Sequence, residues 1–271
     1  MKIAIVYFSA TGNTEKIAKV AKEQFIELNN VIDDINITNT SERNAFKDFS
    51  PYKAVVFGFP IYYGRAPRLI REWFRNLDGK GIKCSVFFTY GGVHVGAAHH
   101  DIKTILYTQN FDLVASAEFL CKHTYNLAGW KLMETHPNDE DLEIAKEFAL
   151  ISYKRFKEED TGRVEFENPK QNSEEIDTME LTTKRAIPTP FREVNECSRC
   201  GTCEEVCPVN AMDKEKGKPK RKICIRCLRC VVNCPDEVLK MKDMSAQFQY
   251  MQQLFNLNEE QLRTKKSKIL L

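Results

Sequence analysis

The sequence predicts a doubly wound α/β domain with a five-stranded parallel sheet, followed by a small α+β domain organised by cysteines. Three observations predict this. Short β-branched runs alternate with amphipathic stretches up to about residue 158. Eight of the ten cysteines fall between Cys197 and Cys234, in two runs of the same spacing. A polar, acid-containing stretch of weak periodicity lies between these regions. The expected organisation is an α/β domain at 1–158, a connector at 159–190, the cysteine domain at 191–243, and a C-terminal helix and tail at 244–271.

Residues 2–8 (KIAIVYF) are apolar and β-branched, the first strand. The stretch 13–28 follows with Ile17, Ala18, Ala21, Phe25 and Leu28 at helical spacing. Runs at 31–37 and 54–59 (AVVFGF) are the second and third strands. Pro67 suits the first turn of a helix carrying Leu69, Ile70, Trp73, Phe74 and Leu77. Residues 82–89 (IKCSVFFT) and 113–120 supply the fourth and fifth strands, with a helix at about 96–109 between them. A helix at 139–157 closes the domain, with Leu142, Ala145, Ala149 and Phe156 on one face. This alternation predicts parallel pairing with helices on both faces. Cys84 and Cys121 lie in or beside apolar runs, as buried thiols do.

Lys plus Arg number 40 and Asp plus Glu 38, a net charge of +2 that argues against an obligate nucleic-acid binder. The longest nearly uncharged run, 54–64, contains Pro60 and is too short to span a bilayer. Polar TGNTEK follows the first strand where a secretory cleavage site would lie. The expectation is a soluble cytoplasmic protein without a membrane span.

Ligands of doubly wound sheets bind outside the carboxyl ends of the strands. Three loops leave those ends. The first is Ser9, Ala10, Thr11, Gly12, Asn13 and Thr14. Its glycine permits a tight turn, its hydroxyls donate, and the following helix N-terminus favours a phosphate dianion. It is neither a P-loop nor a G-x-G-x-x-G turn. The second loop is Pro60, Ile61, Tyr62, Tyr63 and Gly64, and the third is Thr89, Tyr90, Gly91 and Gly92.

Ser9 to Thr14 resemble, position by position, the flavodoxin phosphate loop S/T-x-T-G-x-T. The resemblance implies FMN, with its phosphate on the first loop and its isoalloxazine ring clasped by the other two. Tyr62, Tyr63 and Tyr90 would then stack on the ring, and Gly64, Gly91 and Gly92 would let the main chain approach. By the same resemblance, a peptide flip at Gly64 would exchange donor and acceptor at flavin N5. The near-neutral charge departs from the strongly acidic flavodoxins.

The cysteine runs read CSRCGTCEEVCP and CIRCLRCVVNCP, the second 27 residues after the first. Pro208 and Pro235 keep that offset, as do Ala211-Met212 and Val238-Leu239. Two residues between cysteines let a tight loop turn three thiolates toward one centre, while backbone amides point at the sulfurs. C-x2-C pairs also suit zinc, although zinc sites do not call for a third cysteine at the same spacing. A disulfide framework would need an oxidising compartment. Residues 191–241 resemble the bacterial two-[4Fe–4S] ferredoxins, in which the fourth cysteine of each run serves the other cluster. The resemblance implies one cluster on Cys197, Cys200, Cys203 and Cys234, and a second on Cys224, Cys227, Cys230 and Cys207.

Together the two resemblances imply an iron–sulfur flavoprotein that relays electrons between two clusters and FMN, serving redox partner proteins. A second reading is an FMN-dependent oxidoreductase reducing a quinone, nitro compound or other small acceptor through the clusters. A third is a zinc-binding interaction protein. The connector either spans on the order of 30 Å as a flexible chain or packs and fixes the geometry. The loop DKEKGKPKRK at 213–222 is net positive, either a dock for an acidic redox partner or a solvated loop. His94, His99 and His100 lack partners at ligand spacing and are expected to face solvent or cap helices. Trp130 is expected over the flavin or as a cap over the core. Met244, Phe248, Met251, Leu254 and Phe255 predict a helix that packs on one of the two domains.

Overall fold

The computed structural model describes residues 1–162, 164–166, 169–194 and 196–271. Strands β1 (Lys2–Tyr7), β2 (Val31–Asn36), β3 (Ala54–Pro60), β4 (Lys83–Tyr90) and β5 (Asp112–Leu120) pair in parallel in the order β2-β1-β3-β4-β5. Strands β1, β3 and β4 are buried on both faces, so they read as continuous apolar runs. At the edge, β2 (VIDDIN) has no fully buried residue, and its acids Asp33 and Asp34 pair with Lys2 and Lys22. The order reverses direction between β1 and β3, which creates a crevice at their carboxyl ends.

Helices α1 (Asn13–Glu27) and α5 (Asp139–Phe156) cover one face, packing Ile17, Phe25, Phe148 and Ala149 against Ile5 and Val56. The short α2 (Thr40–Ala45) follows β2 in the chain. On the other face, α3 (Arg68–Phe74) and α4 (Ala98–Thr108) bury Ile70, Trp73, Ile102 and Leu106. Cys84 and Cys121 are both fully enclosed.

Most of the connector is not a free tether, although its residues 163, 167 and 168 lie outside the described part. It forms α6 (Ser173–Ala186), started by a reciprocal capping box between Asn172 and Glu175. This helix buries almost no apolar surface, leaving Met179 and Leu181 exposed. Charge holds it instead. Glu180 pairs with Arg71 and with Arg68 at 3.1 Å, while Asp177 meets Arg65 at 2.5 Å. Arg65 also binds Asp101 of α4.

The cysteine-rich domain is a structural repeat. Its first copy is β6 (Phe191–Arg192), α7 (Thr202–Glu205) and β7 (Met212–Asp213). The second is β8 (Lys218–Pro219), α8 (Arg229–Val232) and β9 (Leu239–Lys240), each element 27 positions later. The first strand of each copy pairs with the second strand of the other, β6 with β9 and β8 with β7. Positive φ recurs at the same offset, at Arg199 and Arg226, Gly201 and Leu228, and Asn210 and Glu237.

The tail does more than form the expected helix. After α9 (Ser245–Leu254) and α10 (Glu259–Thr264), β10 (Lys268–Leu270) pairs antiparallel with β5 and becomes a sixth strand. Three residues are too few to show a period in sequence, but the open edge of β5 offers unpaired backbone groups that they satisfy. Ser267 adds to this clasp, accepting from the Leu120 amide at 2.8 Å and donating to Asp141 at 2.5 Å. Trp130, Leu132, Leu228, Met241 and Met244 form a core shared by both domains and the tail, with Phe248 and Met251 of α9 packed on it. Trp130 is therefore a core cap, its Nε1 donating to the Met244 carbonyl at 3.1 Å. Among the described residues no helix is long and apolar enough to cross a membrane.

Candidate redox site

The first loop closes β1 and opens α1. Gly12 is the N-cap of α1 at φ 92°, a conformation that suits glycine, which has no side chain to cap the helix. A Cβ on Gly12 would meet nothing within 4 Å, so the turn itself is open to its surroundings. Ser9 Oγ accepts from the Glu15 amide at 3.1 Å, and the Ser9 amide donates to Thr38 Oγ1 at 2.8 Å. Sequence reasoning missed Thr38, whose only signal was its position just after β2. The Thr14 and Thr89 hydroxyls hydrogen-bond at 2.8 Å, and the Ile61 amide donates to the Thr89 carbonyl at 2.9 Å. The three predicted loops are thereby joined at one sheet edge. Ala10 is buried beneath them, and Asn13 reaches across to the Lys122 carbonyl at 2.9 Å.

In the second loop, Tyr63 and Gly64 both have positive φ, 56° and 77°, and Tyr62 and Arg65 bond reciprocally across them. That is the backbone of a primed two-residue turn. The turn carries Tyr62 and Tyr63 toward the cysteine-rich domain. Burial raises the Tyr62 phenol well above its ordinary range, and the neighbouring Cys227, Tyr63 and Cys224 raise it further. Burial also pushes Tyr63 up to about 12, opposed by Arg226. The enclosed Tyr63 hydroxyl lies beside the Tyr125 hydroxyl, which also holds its pKa down. In the third loop, burial raises Tyr90, and Gly91 and Gly92 lie against His123 and Met133. His123 is half-buried and stacks on Trp130 at 4.6 Å, and its desolvation holds its pKa down at about 4. Its Nδ1 accepts from the Tyr125 amide at 3.0 Å.

His99 departs from the expected exposed role. It is buried, pairing with Ser116 at 2.7 Å through Nδ1 and with Glu118 at 3.0 Å through Nε2. Two polar residues at i and i+2 on the inner face of β5 required such a partner, and that pattern was the missed signal. His94 stacks on Phe255 at 4.6 Å.

The eight clustered cysteines separate into two environments. Half-buried Cys207 and buried Cys224, Cys227 and Cys230 line a small cavity whose remaining wall is nearly all apolar. Burial pushes the Cys227 thiol up to about 12, reinforced by Cys224 and Cys207, and burial raises Cys230 with Cys227, Cys224 and Cys207 around it. In the other set, Cys200 is exposed, and Cys197, Cys203 and Cys234 are half-buried. The Thr202 hydroxyl and amide lower Cys200, since hydrogen bonds favour its thiolate. Ser198 is tied through its amide and hydroxyl, both at 2.7 Å, to Asp236, which brings Cys197 beside the segment that follows Cys234. Amides reach sulfur in both runs, Ala211 to Cys207 at 3.2 Å and Arg226 to Cys224 at 3.4 Å. Among the described residues no three His, Cys, Asp or Glu side chains converge as a single metal ion would require.

The buried set is fastened to the α/β domain. Thr40 at 3.0 Å and Arg43 at 2.8 Å both donate to the Pro208 carbonyl, and Arg229 donates to Asn39 at 2.6 Å.

Comparison with known proteins agrees with this geometry. The flavodoxin domain family matches residues 4–124, and the 4Fe-4S binding domain family matches residues 192–213. An uncharacterized protein of Methanocaldococcus jannaschii is 32% identical over 157 residues, covering 55% of this chain and 96% of that protein. This chain belongs to the flavodoxin-domain family, with a ferredoxin-type 4Fe-4S domain fused behind it. A flavodoxin of Clostridium saccharobutylicum is 30% identical over 86 residues, covering 30% of this chain and 51% of its own. An archaeal flavodoxin structure is 18% identical with a TM-score of 0.44, covering 58% of this chain and 99% of its own. For oxidised flavodoxin 1 of Bacillus cereus the values are 20%, 0.44, 57% and 98%. The flavodoxin domain implies FMN and the 4Fe-4S domain implies iron–sulfur binding, so the chain has an electron-transfer role. The hydroxyl- and glycine-bearing turn at the head of α1 and the clustered thiols of the cysteine-rich domain have the donor chemistry that suits those groups.

Proposed function

We propose that this chain is an electron relay in which two [4Fe–4S] clusters exchange electrons with FMN. One observation carries the reading. Cys227 is buried in the same apolar core as Phe8, Phe57 and Phe59, and Ile225 and Tyr62 pack against that core. The second cysteine run therefore sits on the strand ends from which the flavin loops leave.

Cys207, Cys224, Cys227 and Cys230 would hold the inner cluster, and Cys197, Cys200, Cys203 and Cys234 the outer one. Thr11, Ser9 and the first-turn amides of α1 would hold the FMN phosphate. When bound, the clusters pass single electrons and the flavin accepts one or two. The apolar wall around the inner thiols excludes water, and the amides aimed at sulfur tune the site. Tyr62 fills the space between the flavin loops and the inner thiols.

Anaerobically isolated protein should contain one FMN and about eight iron atoms per chain, whereas about four would retain only one cluster. Thr11→Ala should weaken FMN binding about 10- to 100-fold and leave iron unchanged. After rapid reduction of the clusters, flavin reduction should follow at a rate independent of protein concentration. A rate that scales with concentration would remove the intramolecular relay.

A further inference from the structure

We propose that Lys184, Arg185, Lys218, Lys220, Arg221 and Lys222 form a docking face for an acidic electron-transfer protein at the rim of the inner cysteine set. The proposal rests on the relay reading above and adds the place and chemistry of the partner.

The six cations come from two segments, the end of α6 and β8 with the turn after it, that main-chain acceptors lock together. Lys184 Nζ donates to the Lys222 carbonyl at 3.0 Å, and Arg221 donates to the Arg185 carbonyl at 2.7 Å. From beneath, buried Arg226 donates to the Arg221 carbonyl at 3.0 Å. Among the described residues none of the six has an ion-pair partner, whereas nearby Lys216 and Arg199 are neutralised by Asp213 and Glu215. The chain as a whole is nearly neutral, so this concentration of charge is local.

Beside these cations Ile223 is 46% exposed, and the next residue, Cys224, is one of the inner thiols. An apolar contact beside charge is the make-up of a protein interface, with the charge steering encounter. The position over Cys224 selects the occupant. A partner that exchanges electrons must bring its own redox centre to this rim, which a nucleic-acid backbone or a lipid surface does not do.

The test is stopped-flow reduction of the anaerobic holoprotein by a dithionite-reduced, acidic short-chain flavodoxin. The bimolecular rate should fall about 10-fold or more between about 20 mM and about 500 mM salt. K218E/K220E/K222E should lose about 10-fold or more at low salt and lose the salt dependence, with K218Q/K220Q/K222Q intermediate. These three lysines make no side-chain hydrogen bond or ion pair among the described residues, so FMN and iron content should match the parent. Reduction by dithionite alone should be unchanged. Equal flavodoxin rates in parent and variants overturn the docking face alone. So does tight parental binding of a short DNA duplex or of phosphatidylserine vesicles that the triple substitution abolishes. If dithionite reduces no centre in any of the proteins, the relay falls and the docking face falls with it.

Discussion

The two cysteine runs have the same spacing, helices of the same length and the same sequence of left-handed backbone positions, yet they live in opposite surroundings. The first run turns Cys200 to solvent, while the second buries Cys224, Cys227 and Cys230. The N-caps of α7 and α8 show how the difference arises. Both stand at positive φ, but the first is Gly201 and the second is Leu228 at 58°. A leucine there costs about 1–2 kcal/mol of backbone strain. Its side chain is 1% exposed in the core it shares with Trp130 and Met244, and that burial outweighs the strain. A repeat thus specifies how thiols converge, and the residue between them decides whether the site faces water or protein.

The comparison can be broken most forcefully at α6. Glu180→Ala would take from buried Arg71 its nearest counter-charge, leaving Asp101 at 3.9 Å and Asp177 at 3.8 Å, a loss of about 3 kcal/mol. Denaturant unfolding should show that loss, and freeing α6 should let a chelator strip the inner iron as readily as the outer. Leu228→Gly removes strain but empties part of the shared core, a net loss of about 1–3 kcal/mol. In the parent, iron release to a chelator should be biphasic, outer set first, and in this variant the phases should merge.

Between about pH 7 and about pH 5.5, the smallest effect comes with pH, although it grows to about 3 kcal/mol by about pH 4. His123 titrates near 4 in the folded chain and near 6.5 when unfolded, so the unfolded chain takes up the proton first as pH falls. Stability is full above about 6.5, is lost by about 1 kcal/mol at about pH 5.5, and levels off below about 4. His123→Gln should flatten that portion of the pH–stability curve relative to the parent.

Much of the α/β fold was legible because its signals are local. Buried parallel strands write continuous apolar runs, amphipathic helices write a stripe, and a phosphate turn writes hydroxyls around a glycine. The burial of His99 was hidden because its cause, Ser116 and Glu118, lies on another element. The clamp on α6 was hidden because lone acids and arginines read as a solvated face until α3 and α4 bring them together. The strand β10 was hidden because an edge recruits its partner through backbone groups that any residue carries.

By itself, the sequence determined the spacing of eight thiols, their 27-residue repeat and three loops at the carboxyl edge of a parallel sheet. Spacing and period are properties of neighbouring residues, so one dimension suffices to carry them. Only the tertiary structure decided which thiols are sealed, that most of the connector packs, and that the tail clasps β5. Burial, ion pairing and edge pairing are made between residues distant in the chain, and their free energy exists only once the packed elements exclude water.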